Sequence, residues 1–324
     1  MSVKQLLRSE VVLEKYGKSL AGKTILITGI SEQSIAGELA IQLSTADPRL
    51  LILSARTESK VAPIIEKIKE SKPDVETRFL GIELADLSSV RRAIEHGLSD
   101  VPKIDHVVFV AGVMACPFDK TKDGFEMQFG VNYVANFLLV KLLLPKVQAA
   151  GPGSSIIITS SAIMRQGKVH LDDLDFSDGK IYDPWAAYGQ SNAARTMFAK
   201  RLGEKLKVQG IRVFSIDPGS VNTGLQRHCP PEFLEMVKAW EKPGSLVDAD
   251  GNKFDMQPWA TRSEGAATMI TGMIDTTISV DDNGSFLCQN AVANDHMHSH
   301  VRNEENITRL WEISEELIGE KYDI

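Results

Sequence analysis

Short apolar runs rich in β-branched residues recur along the chain with helix-like stretches between them, and few folds accept that alternation. Six runs read as strands, at 24–28, 50–54, 77–82, 106–110, 155–159 and 212–216. The first five are apolar on both faces, as strands buried in a parallel sheet must be. Helix-like segments fall at 37–45, 61–71, 88–98, 132–149 and 184–208. Right-handed crossovers then give a doubly wound parallel α/β sheet of the Rossmann-like kind. No repeat or linker interrupts the series, so the 324 residues are expected to form a single domain, 1–324, although at about 150 residues per domain they could make two.

After Pro218 the character changes. Residues 219–256 are rich in Pro, Gly and mixed charge and read as a C-terminal substrate lid, with a short helix near 232–240. Leu225, Phe233, Met236 and Trp240 are its candidate apolar walls. A helix at 263–271, a strand at 285–288 closing the sheet and a charged helix at 304–318 complete the expected order.

Composition narrows the class of function. Hydrophobic residues make up 43% and charged residues 24%, enough for a sizeable core. Lys and Arg number 36 against 43 Asp and Glu, the net charge is −7, and no basic block occurs, which speaks against nucleic acid and anionic membrane as partners. Cys116, Cys229 and Cys288 lie far apart and suit a reducing compartment rather than a disulfide framework. The first 23 residues lack the apolar core of a secretory signal, and no apolar run reaches the roughly 18 residues of a membrane span. A cytoplasmic protein is expected.

The strand at 24–28 runs into Gly29-Ile30-Ser31-Glu32-Gln33-Ser34-Ile35-Ala36-Gly37 and then a helix. In a doubly wound fold this first turn holds a pyrophosphate on the helix N-terminus, so Gly29, Ser31, Gln33 and Ile35 are candidate cofactor contacts. Gln33 and Ala36 stand where smaller residues would help, and Glu32 adds negative charge. Arg56 ends the second strand, where a guanidinium suits a 2′-phosphate and an acid would suit a free ribose hydroxyl, which favours NADP(H). His296, His298 and His300 could line a metal site if extended, but without a spaced acidic or thiol ligand they read as a polar surface loop, and no metal is expected. Nothing beside Cys116 would activate a thiolate.

Several motifs occur in a telling order: Thr28-Gly29, Ala111-Gly112, Asn132, Ser160-Ser161, His170 to Leu174, Pro184-Trp185-Ala186-Ala187-Tyr188, Tyr188-Gly189-Gln190-Ser191, and Asp217-Pro218-Gly219 to Thr223. In these the chain resembles the short-chain dehydrogenases/reductases, above all the extended, retinol-dehydrogenase-like members common in fungal secondary metabolism, from about residue 22 to 288. The resemblance implies Tyr188 as proton donor, Ser161 as the hydroxyl that holds the substrate carbonyl, and Asn132 as anchor of a water-mediated proton relay. It implies Ala111 and Gly112 beside the cofactor, Glu83 near adenine, and Pro218, Gly219, Val221 and Thr223 at the nicotinamide carboxamide. The family's lysine four residues after the tyrosine is Asn192 here, which can share the helix face but supplies no charge. Val110 also replaces an expected Asn. The implied function is NADP(H)-dependent interconversion of a carbonyl and an alcohol on a small apolar secondary metabolite, with a homodimer as the family's usual assembly. The alternative is a non-redox isomerase, dehydratase or cyclase of pericyclase type, using Ser161 and Tyr188 as hydrogen-bond donors.

Overall fold

In the computed structural model, residues 6–324 are described. The first five residues of the N-terminal segment considered above lie outside them. Eight strands form one sheet: β1 (Thr24–Thr28), β2 (Leu50–Ala55), β3 (Glu76–Gly81), β4 (His106–Phe109), β5 (Ser155–Thr159), β6 (Arg212–Asp217), β7 (Phe286–Cys288) and β8 (Ala291–Val292). Their order is β8-β7-β6-β5-β4-β1-β2-β3, and every neighbouring pair is parallel except the antiparallel β7–β8 edge. Strand order reverses between β1 and β4, which opens a crevice at their C-terminal ends, the place where open α/β sheets bind ligands.

The principal helices are α1 (Ser9–Tyr16), α2 (Ile35–Ser44), α3 (Glu58–Ser71), α4 (Leu87–Gly97), α5 (Ala135–Ala150), α6 (Pro184–Leu206), α7 (Phe233–Trp240), α8 (Arg262–Ile274) and α9 (Glu304–Ile318). Successive strand residues point to opposite faces, and each face is covered. Ile25 and Ile27 of β1 pack with Leu39 of α2, Ile64 of α3 and Ile270 of α8. Leu26 between them faces the other layer, with Val90 of α4, Phe137 of α5, Phe198 of α6 and Leu310 of α9. Each such fully buried side chain contributes about 1.5–3 kcal/mol, so the double-sided apolar strands are held by both layers.

Several boundaries move for physical reasons. Helix α2 starts at Ile35 rather than 37 because the Ser34 hydroxyl accepts the Gly37 N–H at 2.9 Å and caps it. Helix α3 starts at Glu58 rather than 61, β3 lies one residue earlier than expected, and α1 was not anticipated. The segment expected as helix from 132 opens with a wide π turn, Gly130–Val134, before regular α5 begins. Met127–Ala150 is long and apolar enough to cross a membrane, yet 83% of its apolar window is buried inside the domain, where it serves as a core helix. In the expected lid, two small pairings occur: Ser220–Val221 with Trp259–Ala260, and Leu246–Val247 with Lys253–Phe254.

Candidate active site

At the tips of β1 and β4 two loops meet closely. Gly29 has φ +82°, and a Cβ there would lie 2.8 Å from the Ala111 backbone nitrogen, so both conformation and space demand glycine. The Thr28 hydroxyl accepts the Val110 and Ala111 N–H groups at 3.1 and 3.2 Å. Beyond Gly29 the loop is tied by Ser34, whose hydroxyl accepts from Ser31 N–H at 3.0 Å and donates to Ser31 O at 2.8 Å. A serine thus braces a turn that the sequence had left short of glycines. Glu32 and Gln33 point outward, and Glu32 pairs with Lys67 at 3.1 Å. The negative charge expected near the phosphates is therefore turned away, and Gln33 forms no part of the wall.

A cavity of about 1130 Å³ lies over the crevice. It is lined by Gly29, Ser31, Ile35, Arg56, Glu83, Ala111, Gly112, Ser161, Tyr188, Pro218, Gly219, Val221 and Thr223, which is every expected site residue except Gln33, Asn132 and Asn192. Asn132 sits in the π turn, fully buried behind Gly112. Its Oδ1 accepts Val113 N–H at 2.8 Å, and its Nδ2 donates to Val113 O at 2.9 Å and to Ser191 Oγ at 3.0 Å. Its side chain is spent on holding the β4 loop against α6.

Ser161 caps the short helical turn Ala162–Arg165. Just after that turn the chain runs so close to α6 that a Cβ on Gly167 would lie 2.1 Å from Gly189 O, one residue after Tyr188. Burial raises the Tyr188 phenol above its ordinary value, with a smaller push from Asp217. The Arg195 charge and hydrogen bonding from Asn192 and Ser161 pull the other way. Asn192 donates Nδ2 back to Tyr188 O at 2.9 Å, and its buried Oδ1 has no partner.

The expected lid walls Leu225, Phe233 and Trp240 line the cavity, whereas Met236 does not. Trp185 joins Phe233 and Trp240 in an aromatic cluster beside Tyr188, with Trp185 and Phe233 stacked at 5.9 Å. Three features were missed in the sequence. Lys60 joins Arg56 on the cavity wall. Arg195, seven residues after Tyr188, is buried and also faces the cavity. The histidines are not a surface loop: His298 Nε2 bonds Gly167 O at 2.8 Å and Met164 O at 3.1 Å, and His300 Nε2 accepts Val169 N–H at 3.0 Å. They fasten the segment after Ser161. Burial pushes the Cys116 thiol up, away from nucleophile chemistry.

A family model described as short chain dehydrogenase matches residues 23–173. Human Retinol dehydrogenase 13 is 35% identical over 259 residues, covering 73% of this chain and 77% of that protein. The chain is a short-chain dehydrogenase. The mouse Retinol dehydrogenase 13 is 36% identical over 210 residues, 65% of this chain and 62% of that protein. A solved short chain dehydrogenase from Burkholderia cenocepacia in complex with NADP shares the fold with a TM-score of 0.62 at 18% identity, over 84% of this chain and 99% of that one.

Membership makes the protein an oxidoreductase, acting on a small molecule with a nicotinamide dinucleotide. The residues present fit such a cofactor. Gly29, Ser31 and Gly112 of the β1 and β4 loops line the cavity, and the capped α2 N-terminus lies at one side of it. Four residues after Tyr188 this short-chain dehydrogenase carries the uncharged Asn192.

Proposed function

We propose that this dehydrogenase uses NADP(H) to interconvert a carbonyl and an alcohol on a small, mostly apolar metabolite, of the kind made in secondary metabolism, in the cytoplasm. The observation that carries the reading is one cavity lined at once by Ser161, Tyr188, the exposed Arg56 and the aromatic cluster. Among the described residues neither Arg56 nor Lys60 has an ion-pair partner, so both are available to a 2′-phosphate. The NADP complex of the Burkholderia relative supports the same choice. Relatives named for retinol, an apolar alcohol, agree with the walls formed by Trp185, Leu225, Phe233 and Trp240. Residues 219–256 act as the lid over the substrate end, and the working assembly is a homodimer.

When bound, the nicotinamide would supply the hydride for the carbonyl carbon, or accept it in reverse. Ser161 donates a hydrogen bond to the carbonyl oxygen. As the C=O electron pair moves onto oxygen, the Tyr188 hydroxyl gives up its proton to form the alcohol. Because burial holds the phenol protonated at neutral pH, reduction finds its proton donor ready, whereas oxidation needs the phenolate and should rise with pH.

Calorimetric titration with NADPH, NADP and NADH tests the reading. NADPH is expected to bind more tightly than NADH. Absence of NADPH binding, or turnover of a substrate with no nicotinamide present, would replace it with the non-redox alternative.

A further inference from the structure

Arg195 is a cation with no acid beside it. Its Nε donates to Asn132 O, and its Nη2 donates to Ala111 O at 2.6 Å. Both acceptors are neutral backbone carbonyls, and among the described residues no carboxylate pairs with the guanidinium. The residue is only 3% exposed. An unpaired buried charge is costly and persists where something uses it. Burial lowers the Arg195 pKa to about 10, which still leaves it charged at neutral pH.

Its position explains what that use is. Residues 188, 192 and 195 are four and seven apart and share one face of α6. Helical side chains lean toward the N-terminus, so a long side chain one turn after Asn192 reaches back over the place where the family's lysine would act. The guanidinium lies against the Asn132 carbonyl and within 3.6 Å of where a Cβ on Gly112 would sit, on the same cavity wall as Tyr188. We propose that Arg195 is the positioning residue for proton transfer, supplying to the Tyr188 hydroxyl from two turns along α6 the positive charge that Asn192 cannot. This inference rests on the reading of Tyr188 as proton donor. Three other groups bear on the phenol: hydrogen bonding from Asn192 on α6 and from Ser161 in the turn after β5 favours its ionised form, and Asp217, at the end of β6, opposes it. Arg195 and Asn136 also occupy the Asn132 carbonyl directly, and a guanidinium there holds its proton instead of passing it on.

The test reads Tyr188 itself. A spectrophotometric phenol titration of the full chain, minus that of Tyr188→Phe, gives its midpoint without cofactor or substrate, and the pH profile of alcohol oxidation gives it a second time. Arg195→Met should move the midpoint up by about 1 to 3 pH units, as loss of a nearby opposite charge does, while Arg195→Lys stays close to the parent. An unchanged midpoint in Arg195→Met, or an equal rise in Arg195→Lys, overturns the proposal. If the Met variant does not fold, Arg195→Gln carries the same midpoint criterion, and Arg195→Met with Asn192→Lys, which restores a cation one turn earlier, should keep a midpoint close to the parent's; a rise there as large as about 1 to 3 pH units overturns the proposal. Failure of the parent chain to bind NADPH would remove the redox reading while leaving the phenol titration to decide the role of Arg195.

Discussion

Arg56 and Arg195 face the same cavity but live under opposite conditions. Arg56 stands in water at the end of β2, and Arg195 is sealed behind the tips of β4 and β5 with only backbone carbonyls for company. A hydrated charge costs little to leave unpaired and is free for whatever anion arrives. A desolvated one is costly at every moment, ligand or none, and must act on something built into the protein. On the readings proposed above, the first would select a cofactor and the second would tune a catalytic group.

The largest effect that could break this contrast is at the phenol. Tyr188→Phe should lower kcat by about 10²- to 10⁴-fold, the usual worth of general acid catalysis, with NADPH affinity retained in calorimetry. Retained turnover would leave Arg195 nothing to act on. Next in size, Arg56→Ala should weaken NADPH by about 1.5–3 kcal/mol, as loss of a hydrogen bond to a charged group does, while NADH binding stays unchanged. Equal loss for both cofactors would make Arg56 a general electrostatic contact.

The buried histidines extend the same distinction to pH. Burial holds His106 and His300 at about 4, below the ordinary 6.5. Between those values the unfolded chain binds protons that the folded chain refuses, so stability is complete above about 6.5 and falls as pH drops toward 4. Thermal melting across that range should show the decline, and His300→Gln should flatten it; an identical slope in the variant would exclude His300. The smallest effect is expected at the surface. Lys67→Ala breaks the exposed pair with Glu32 and should cost less than about 0.5 kcal/mol, with NADPH affinity unaltered because Glu32 points away from the cavity.

What was readable in the sequence was whatever depended on local pattern. Strands 24–28 and 155–159 and helix 304–318 fall where expected, the strands because both faces are apolar, the helix because Asn303 caps it and Gly319 ends it at φ +71°. Most of the cavity wall followed from motif order. What escaped depended on contacts between distant segments. Helix α1 is short and weakly patterned, and it is held by Ser9, whose N–H and hydroxyl bond Ser263 at 3.0 and 2.6 Å. Arg195 carried a usable signal, since it lies seven residues from Tyr188 on the same helix face, yet only the fold reveals that no acid is near it. His298 and His300 gave no hint of this role, because their partners are the backbone of residues 164–169.

Those histidines also decide where the enzyme is fragile. The perch of the Ser161 hydroxyl is fastened by imidazoles contributed from about 130 positions downstream. Losing those two imidazoles would cut the serine's moorings without touching a strand of the sheet, so the chemistry hangs on a tail that lends it no reacting atom.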